Sequence, residues 1–418
     1  MLARHSKKRG KRHPPHRPWQ AAVAATAMTA FGLTIPAAEV GKAPPAGTKD
    51  GVPIEVTSAM RGAGVVSSGV ALPPIPPVSG DRKKPVPTWG KPLPYPIVIA
   101  DRRNNRLLEV TPDKRIVWEL PSPDLVFYCG NEDVSFSPDG RWLAVSEEDN
   151  YDIHIVDYEK RAVVWTYGVP DHKGHSAPYL NYPDDAHILE DGVFLTADIR
   201  NCRVLFIDPK TSAIVTQWGR AGDNRRNCRH DPPRYLDDPN GVTPYSNGDI
   251  LVTEISGAWI SRLKRDGTVR WSVQAPNIRY PSDAFPTVDE RHVIVADFWK
   301  PGRVVIFDPA TRQVLWQYDG QTPEEKLDHP SLARELPTGD VLVVDDLRHR
   351  VIVIDRHSQK IIWQYGVTDT PGHRPGYLYY PDGLDLDVFR DWKAALAALP
   401  LPPSPPLTPR THRRPGSP

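Results

Sequence analysis

Apolar and polar residues alternate with a period of two, in short runs, through most of the chain between residues 95 and 387. Segments such as IHIVDYEKRAVVWTYG, VLFIDPKTSAIVTQWG, VVIFDPATRQVLWQYDG and VIVIDRHSQKIIWQYG each spell an alternating strand, a polar turn and a second alternating strand that carries a tryptophan. Upstream of each lies a glycine turn followed by another β-rich run: PDGRWLAVS, EDGVFLTAD, SNGDILVTE and PTGDVLVVDD. Glycine after Asp or Asn supplies the left-handed backbone that tight hairpins need. The pattern predicts four short strands per unit, lettered A to D. No helical period appears before residues 387–399, where a short amphipathic helix is expected.

The unit repeats. Trp118, Trp165, Trp218, Trp271, Trp316 and Trp363 fall 45 to 53 residues apart, and four strands per such period describe a β-propeller blade. The chain is therefore expected to be all-β, a six-bladed propeller. Its first unit starts at YPIVIAD (95–101), which matches strand B of the others and has no strand A. The missing strand is offered by YLYYPDGLDLD (377–387), whose opening resembles the strand A openings elsewhere. Closure of the ring by the last strand would remove the exposed sheet edges.

Charge and proline divide the chain further. Residues 1–18 carry seven Lys/Arg and no acid, and residues 401–418 carry three, while residues 96–400 hold 35 Lys/Arg against 47 Asp/Glu. A body near −12 excludes a nucleic-acid surface, which needs a basic face. The basic start, the uncharged stretch 19–36 and the small residues Ala37 and Ala38 follow the order of an export signal. Residues 1–38 are read as that signal or as an uncleaved anchor. Residues 39–94 are rich in Pro, Gly, Ser and Val and read as a largely unfolded spacer, 95–387 as the propeller, 388–399 as the helix, and 400–418 as a Pro-rich disordered tail.

The motif in Ile207-Asp208 with Thr211, Phe307-Asp308 with Thr311 and Ile354-Asp355 with Ser358 resembles the tryptophan-docking repeat of PQQ-like propellers. VFLTADIRNCRVLFI resembles the NHL repeat. The resemblance implies the fold over about residues 95–387 and does not fix a function, because both repeats serve enzymes and binding proteins. Bacterial arylsulfotransferases carry similar repeats, and that family implies a histidine that accepts the sulfuryl group; no motif says which histidine that is here. Quinoprotein dehydrogenases usually have eight blades and an adjacent Cys-Cys pair, and this chain has neither, so PQQ is not expected as a cofactor.

Candidate chemistry lies in the loops. The openings of strand A give Glu132 and Asp133, Asp184 and Asp185, Asn240 and Gly241, Ser282 and Asp283, Ser331, and Asp382 and Gly383. Such oxygen donors at one channel mouth suit a polar ligand or Ca²⁺, with Asp184, Asp283 and Asp382 as the expected ligands; the alternative is that they cap backbone N–H groups of their own strands. Asp101, Asp198, Glu254, Asp297 and Asp345 close strand B, and Arg106, Arg203, Arg303 and Arg350 follow four of them. Repetition of an acid and an arginine argues for structural pairs: Asp101–Arg106, Asp198–Arg203, Asp297–Arg303 and Asp345–Arg350. The asymmetric residues are histidines. His175 and His373 recur in YGVPDHKGHSAPYLNYPD and YGVTDTPGHRPGYLYYPD, His172 sits in the first of these, His230 beside Arg229 in the long loop before the fourth blade, and His329 just before a strand A. Each is a candidate base, nucleophile or metal ligand, or an ordinary loop residue. Tyr182, Tyr280, Tyr380, Trp259 and Trp299 would flank this face, as ligand platforms or as packing. Cys202 and Cys228 fall in loops that open on one face and are expected to form a disulfide, with Cys129 as rival partner.

Two function classes remain. The first is an exported, monomeric binding or scaffold propeller that meets a small polar molecule, a cation or an envelope component at the channel mouth on the B–C and D–A loop face. The second is an exported enzyme of sulfuryl-transferase or lactonase type using a loop histidine. The acidic body favours cations or neutral polyols there over anions.

Overall fold

The computed structural model describes residues 67–121, 130–221 and 227–399. The expected signal, the first part of the spacer, the tail and Cys129 lie outside them. Six four-stranded antiparallel sheets form the described body, one for each tryptophan period. The fold is a six-bladed β-propeller.

In blade 1, strand A is Pro381–Leu386, B is Ile97–Asp101, C is Arg106–Val110 and D is Ile116–Pro121. The last described strand thus completes the first sheet, with Ile97 opposite Leu386 and Ile99 opposite Leu384. Strand A runs over Asn131–Phe136 in blade 2, Pro183–Ile188 in blade 3, Pro239–Pro244 in blade 4, Pro281–Pro286 in blade 5 and Pro330–Glu335 in blade 6. Strands B are buried along almost their whole length, because neighbouring blades cover both faces; Ile97–Asp101 and Val341–Asp345 are examples. Their runs of Val, Ile and Leu follow from that, each fully buried side chain contributing about 1.5–3 kcal/mol. Strand D is the outer edge and alternates between half-buried and exposed, as in Ala213–Gly219.

The repeated tryptophans join blade to blade. Trp118 Nε1 donates to the carbonyl of Tyr158, Trp316 to that of Arg356, and Trp165 to Ser212 Oγ, each partner in the C–D turn region of the next blade. Trp363 of blade 6 donates to the carbonyl of Pro112 in blade 1, so the same bond closes the ring. Near its start, each strand A slips register against strand B. Such a bulge turns two successive residues toward one side, here the channel.

Residues 67–94, expected within an unfolded spacer, are instead laid along the body. Ser68 donates through its N–H and its hydroxyl to Glu119, both at 2.8 Å, Val86 N–H donates to the Val388 carbonyl, and Leu93 is fully buried. Gly80 passes so close to the Val388 carbonyl that a Cβ would lie 2.8 Å from it. Proline fixes an extended backbone that needs no ladder of its own, so composition alone did not separate a strap from a free linker. Midway, the segment meets the stretch before the helix: Ser79 and Gly80 both donate to Phe389 O. The helix itself is Trp392–Ala397, capped by Asp391.

Candidate functional site

The acids that close strand B are clamps. Asp198 accepts Asn181 N–H on one oxygen and Arg203 Nε on the other, at 2.8 and 2.6 Å; Asp101 does the same with Tyr379 and Arg106, and Asp345 with Asp328 and Arg350. Asp297 holds the N–H groups of Arg279 and Tyr280, with Arg303 looser at 3.8 Å. Each carboxylate ties the incoming D–A loop to its own blade. Blade 4 has Trp259 in place of the arginine, and His230 pairs with the clamp acid instead. Its Nδ1 lies 2.7 Å from Glu254, its Nε2 lies 3.0 Å from Ser272 Oγ, and its ring stacks on Trp259 at 3.9 Å. Blade 2 places Asp152 where blades 1, 3, 5 and 6 have arginine, and burial pushes that carboxyl up to about 8.

The remaining histidines are dispersed around the loop face. His329 Nδ1 lies 2.7 Å from Asp328, with its ring edge-on to Phe298. His172, His175 and His373 are exposed, and His373 lends its carbonyl to Arg106. The structure does not gather them into one site. The aromatic residues pack among themselves and under cations: Tyr182 against Tyr151, Tyr280 against Phe298, Tyr380 below Arg102 and Arg103, and Trp299 beside Arg279. Cys202 and Cys228 are joined as a disulfide, their Cα atoms 5.3 Å apart.

The acidic ring at the loop end of the channel contains its own cation. Arg102, directly after the clamp acid of blade 1, is 3% exposed and bridges Glu132, Glu148 (2.7 Å), Asp149 (3.1 Å) and Asp382 (2.9 Å). Burial opposes its charge, and the four carboxylates more than restore it. Burial likewise raises Glu132 and Asp382 in spite of Arg102, and raises Asp184 together with the charges of Glu148 and Asp382. Asp184, Asp283 and Asp382, expected to share a Ca²⁺, do not converge. Asp382 is committed to Arg102, Asp184 accepts Asp185 N–H at 2.8 Å, and the three do not meet within ligand distance of one another. Ser331 donates to Asp346 at 2.7 Å; Asn240 is buried at the equivalent position of blade 4.

One layer deeper, the second residues of the strand A openings bridge adjacent blades. Asp133 accepts Ala186 N–H at 3.2 Å and Asp185 accepts Val242 N–H at 2.5 Å. Glycine in the neighbouring blade makes room for such carboxylates: a Cβ on Gly383 would lie 1.9 Å from Asp133 Oδ1, and one on Gly241 would lie 3.1 Å from Asp283 Oδ1. Burial pushes Asp283 up, helped by the charges of Asp185, Asp184 and Asp133.

The large cavity is at the opposite end. It measures about 1050 Å³ and is framed by the A–B turns. Its floor is the next position along strand A in each blade: Ser135, His187, Thr243, Phe285, Arg334 and Asp385. Arg334 and Arg82, the latter from the strap, both reach Asp385, at 2.7 and 2.5 Å. Burial alone would raise Asp385, but the two guanidiniums hold it far below the usual carboxylate range. Sequence reasoning placed the site at the loop end. It passed over Arg82 because it lay in the spacer, and Arg334 because a single strand residue has no motif. Reading the third channel position in all six blades as one column would have exposed both Arg334 and Asp385.

Residues 203–376 match the family model described as outer membrane protein assembly factor BamB. No curated protein matches the chain. Similar solved structures include a protein of unknown function from Bacteroides caccae, 15% identical with a TM-score of 0.49, covering 70% of this chain and 98% of that one. Another is virginiamycin B lyase from Staphylococcus aureus, 17% identical with a TM-score of 0.41, covering 58% of this chain and 71% of that one. No helix among the described residues is long and apolar enough to cross a membrane.

Proposed function

We propose that this chain is an exported binding propeller that holds a small polar molecule with an anionic group in the cavity at the A–B-turn end. The cavity carries the reading. Its volume of about 1050 Å³ suits a small-molecule ligand, which is typically held by apolar walls and a few placed polar groups. Phe136, Phe285 and Tyr245 supply the walls, while Arg334 and Arg82 supply charge. Arg334 uses Nη1 on Asp385 and is 20% exposed, so its planar fork retains donors for a carboxylate or phosphate. Export is supported by the order of charge and hydropathy in residues 1–38. The BamB match agrees with an envelope setting, in which an envelope component is the alternative partner.

The test is a thermal-shift and calorimetric screen of sugar phosphates, dicarboxylates and amino acids against wild type and Arg334→Ala. Arg334→Ala is expected to weaken a bound anion by at least about tenfold, or about 1.4 kcal/mol. A ligand that binds the variant as tightly as wild type would place the site elsewhere.

A further inference from the structure

At the floor of the cavity, two carboxylates and an imidazole meet in an arrangement that hydrogen bonds leave unfinished. Asp133 and Asp185 occupy the same strand A position in adjacent blades, and His187 lies two residues beyond Asp185. One ligand atom from each falls within 4.8 Å of the others. Each carboxylate spends one oxygen on a backbone N–H, Asp133 on Ala186 and Asp185 on Val242. The other oxygen of Asp185 is fully buried and accepts no backbone, Arg or Lys hydrogen bond, its polar neighbours being the Asp133 carboxyl and His187. His187 Nε2 faces it at 3.5 Å. Among the described residues, no Arg or Lys side chain pairs with Asp133 or Asp185. A buried carboxylate oxygen whose nearest cationic partner is an imidazole nitrogen at 3.5 Å is poorly satisfied.

We propose that Asp133, Asp185 and His187 form a binding site for one divalent transition-metal ion of the zinc or manganese type. The donor set decides the class. Two carboxylate oxygens and one imidazole nitrogen suit borderline ions, whereas Ca²⁺ takes six to eight oxygens. Three protein ligands leave a coordination position open, and Asp133 and His187 both line the cavity, so that position faces the ligand space. Val242 N–H and Ala186 N–H orient the two carboxylates, as outer-shell donors do at metal sites. Glu147, Asp152 and His154 form a second trio of the same composition, but all three are buried and none lines the cavity. The metal site stands independently of whether an organic molecule fills the cavity.

The experiment uses full-length protein stripped with a chelator and titrated calorimetrically with Zn²⁺, Mn²⁺ and Ca²⁺ near pH 7.5. One Zn²⁺ or Mn²⁺ per chain is expected, with Ca²⁺ at least about tenfold weaker. His187→Gln and Asp185→Asn should each lower the transition-metal affinity by about 10- to 100-fold, while Asp283→Asn leaves it within about twofold. Should Asp185→Asn fail to fold, His187→Gln decides alone, because its ring is partly exposed on the cavity wall. Cu²⁺ substituted into wild type should show nitrogen hyperfine coupling that His187→Gln loses. Absence of stoichiometric Zn²⁺ and Mn²⁺ binding, or equal affinity in His187→Gln, would overturn the proposal.

Discussion

The two ends of the channel use the same six strands and build opposite kinds of ion cluster at their centres. At the loop end, one buried guanidinium serves four carboxylates: Arg102 with Glu132, Glu148, Asp149 and Asp382. At the turn end, two guanidiniums serve one carboxylate, and both are open to solvent, Arg82 at 37% and Arg334 at 20%. A cation surrounded by partners on every side is part of the frame. A cation that shares a partner and keeps free donors is equipped to meet something else. Density of polar residues therefore misleads as a guide to the site, whereas the number of partners each central cation has, and its access to solvent, separates the two clusters.

Removing Arg102 is expected to break the comparison most severely. Arg102→Met would leave four carboxylates facing each other at the closure between blades 1 and 2. Breaking a buried ion pair from one side typically costs about 3–5 kcal/mol. Chemical denaturation at pH 7 should show a loss of that size, and the loss should shrink as pH falls, because burial raises Glu132, Glu148 and Asp382 and readies them to take up protons. A variant as stable as wild type at pH 7 would mean that Arg102 is not what holds the loop end together. Arg334→Ala, in contrast, leaves Asp385 with Arg82 and the Phe136 N–H.

Much of this contrast was unreadable in the chain. Alternation and the tryptophan period carry the blades and the closure, because β-sheet chemistry is local and repeats six times. The clamp pairs were legible for the same reason: Asp198 and Arg203 lie five residues apart in one hairpin, as do Asp345 and Arg350. Arg102 belongs to no such pair. Its partners are 30 to 280 residues away, and only the closing of the ring brings Asp382 beside it. The residue that follows strand B in successive blades is Arg102, Glu148, Ile199, Ile255, Phe298 and Asp346; that column holds one cation and was the available signal. The setting of His230 was hidden for a similar reason. It sits opposite Glu254 because Trp259 replaces an arginine, a substitution visible only once the blades are superposed.

Between the two ends, the middle layer gives a smaller and sharper test. Gly383→Ala would put a methyl group 1.9 Å from Asp133 Oδ1 and 2.5 Å from the Asp133 backbone. Strands A of blades 1 and 2 must then separate, at about 1–3 kcal/mol for overpacking of this kind. Gly241→Ala meets Thr253 and Asp283 at 3.0–3.1 Å and should cost less. Thermal denaturation of the two variants side by side checks the order; a reversed order would show that blade 1 is not the tightest contact of the layer.

The gentlest probe is pH, because the two ends carry shifts of opposite sign. Asp184 is raised, first by burial and then by Glu148, Asp382 and Asp185. A carboxyl raised on folding contributes stability that is fully present below its unfolded value of about 3.9 and is lost as pH climbs through the folded value. Asp385 is depressed by Arg82 and Arg334 against its burial; its contribution is present above about 3.9 and disappears only as pH falls further. Asn mimics a protonated carboxyl and can still accept the Asp185 N–H. Asp184→Asn should therefore be more stable than wild type at pH 8, by about 1 kcal/mol, and indistinguishable from it near pH 4. Asp385→Asn should be less stable than wild type at pH 8 and nearly as much so at pH 5, converging only in stronger acid. Melting temperatures of both variants across that range decide. Parallel curves for the two would mean that the immediate partners of Asp184 and Asp385 do not differ in charge, since acids around the first and two guanidiniums on the second are what give the slopes opposite signs.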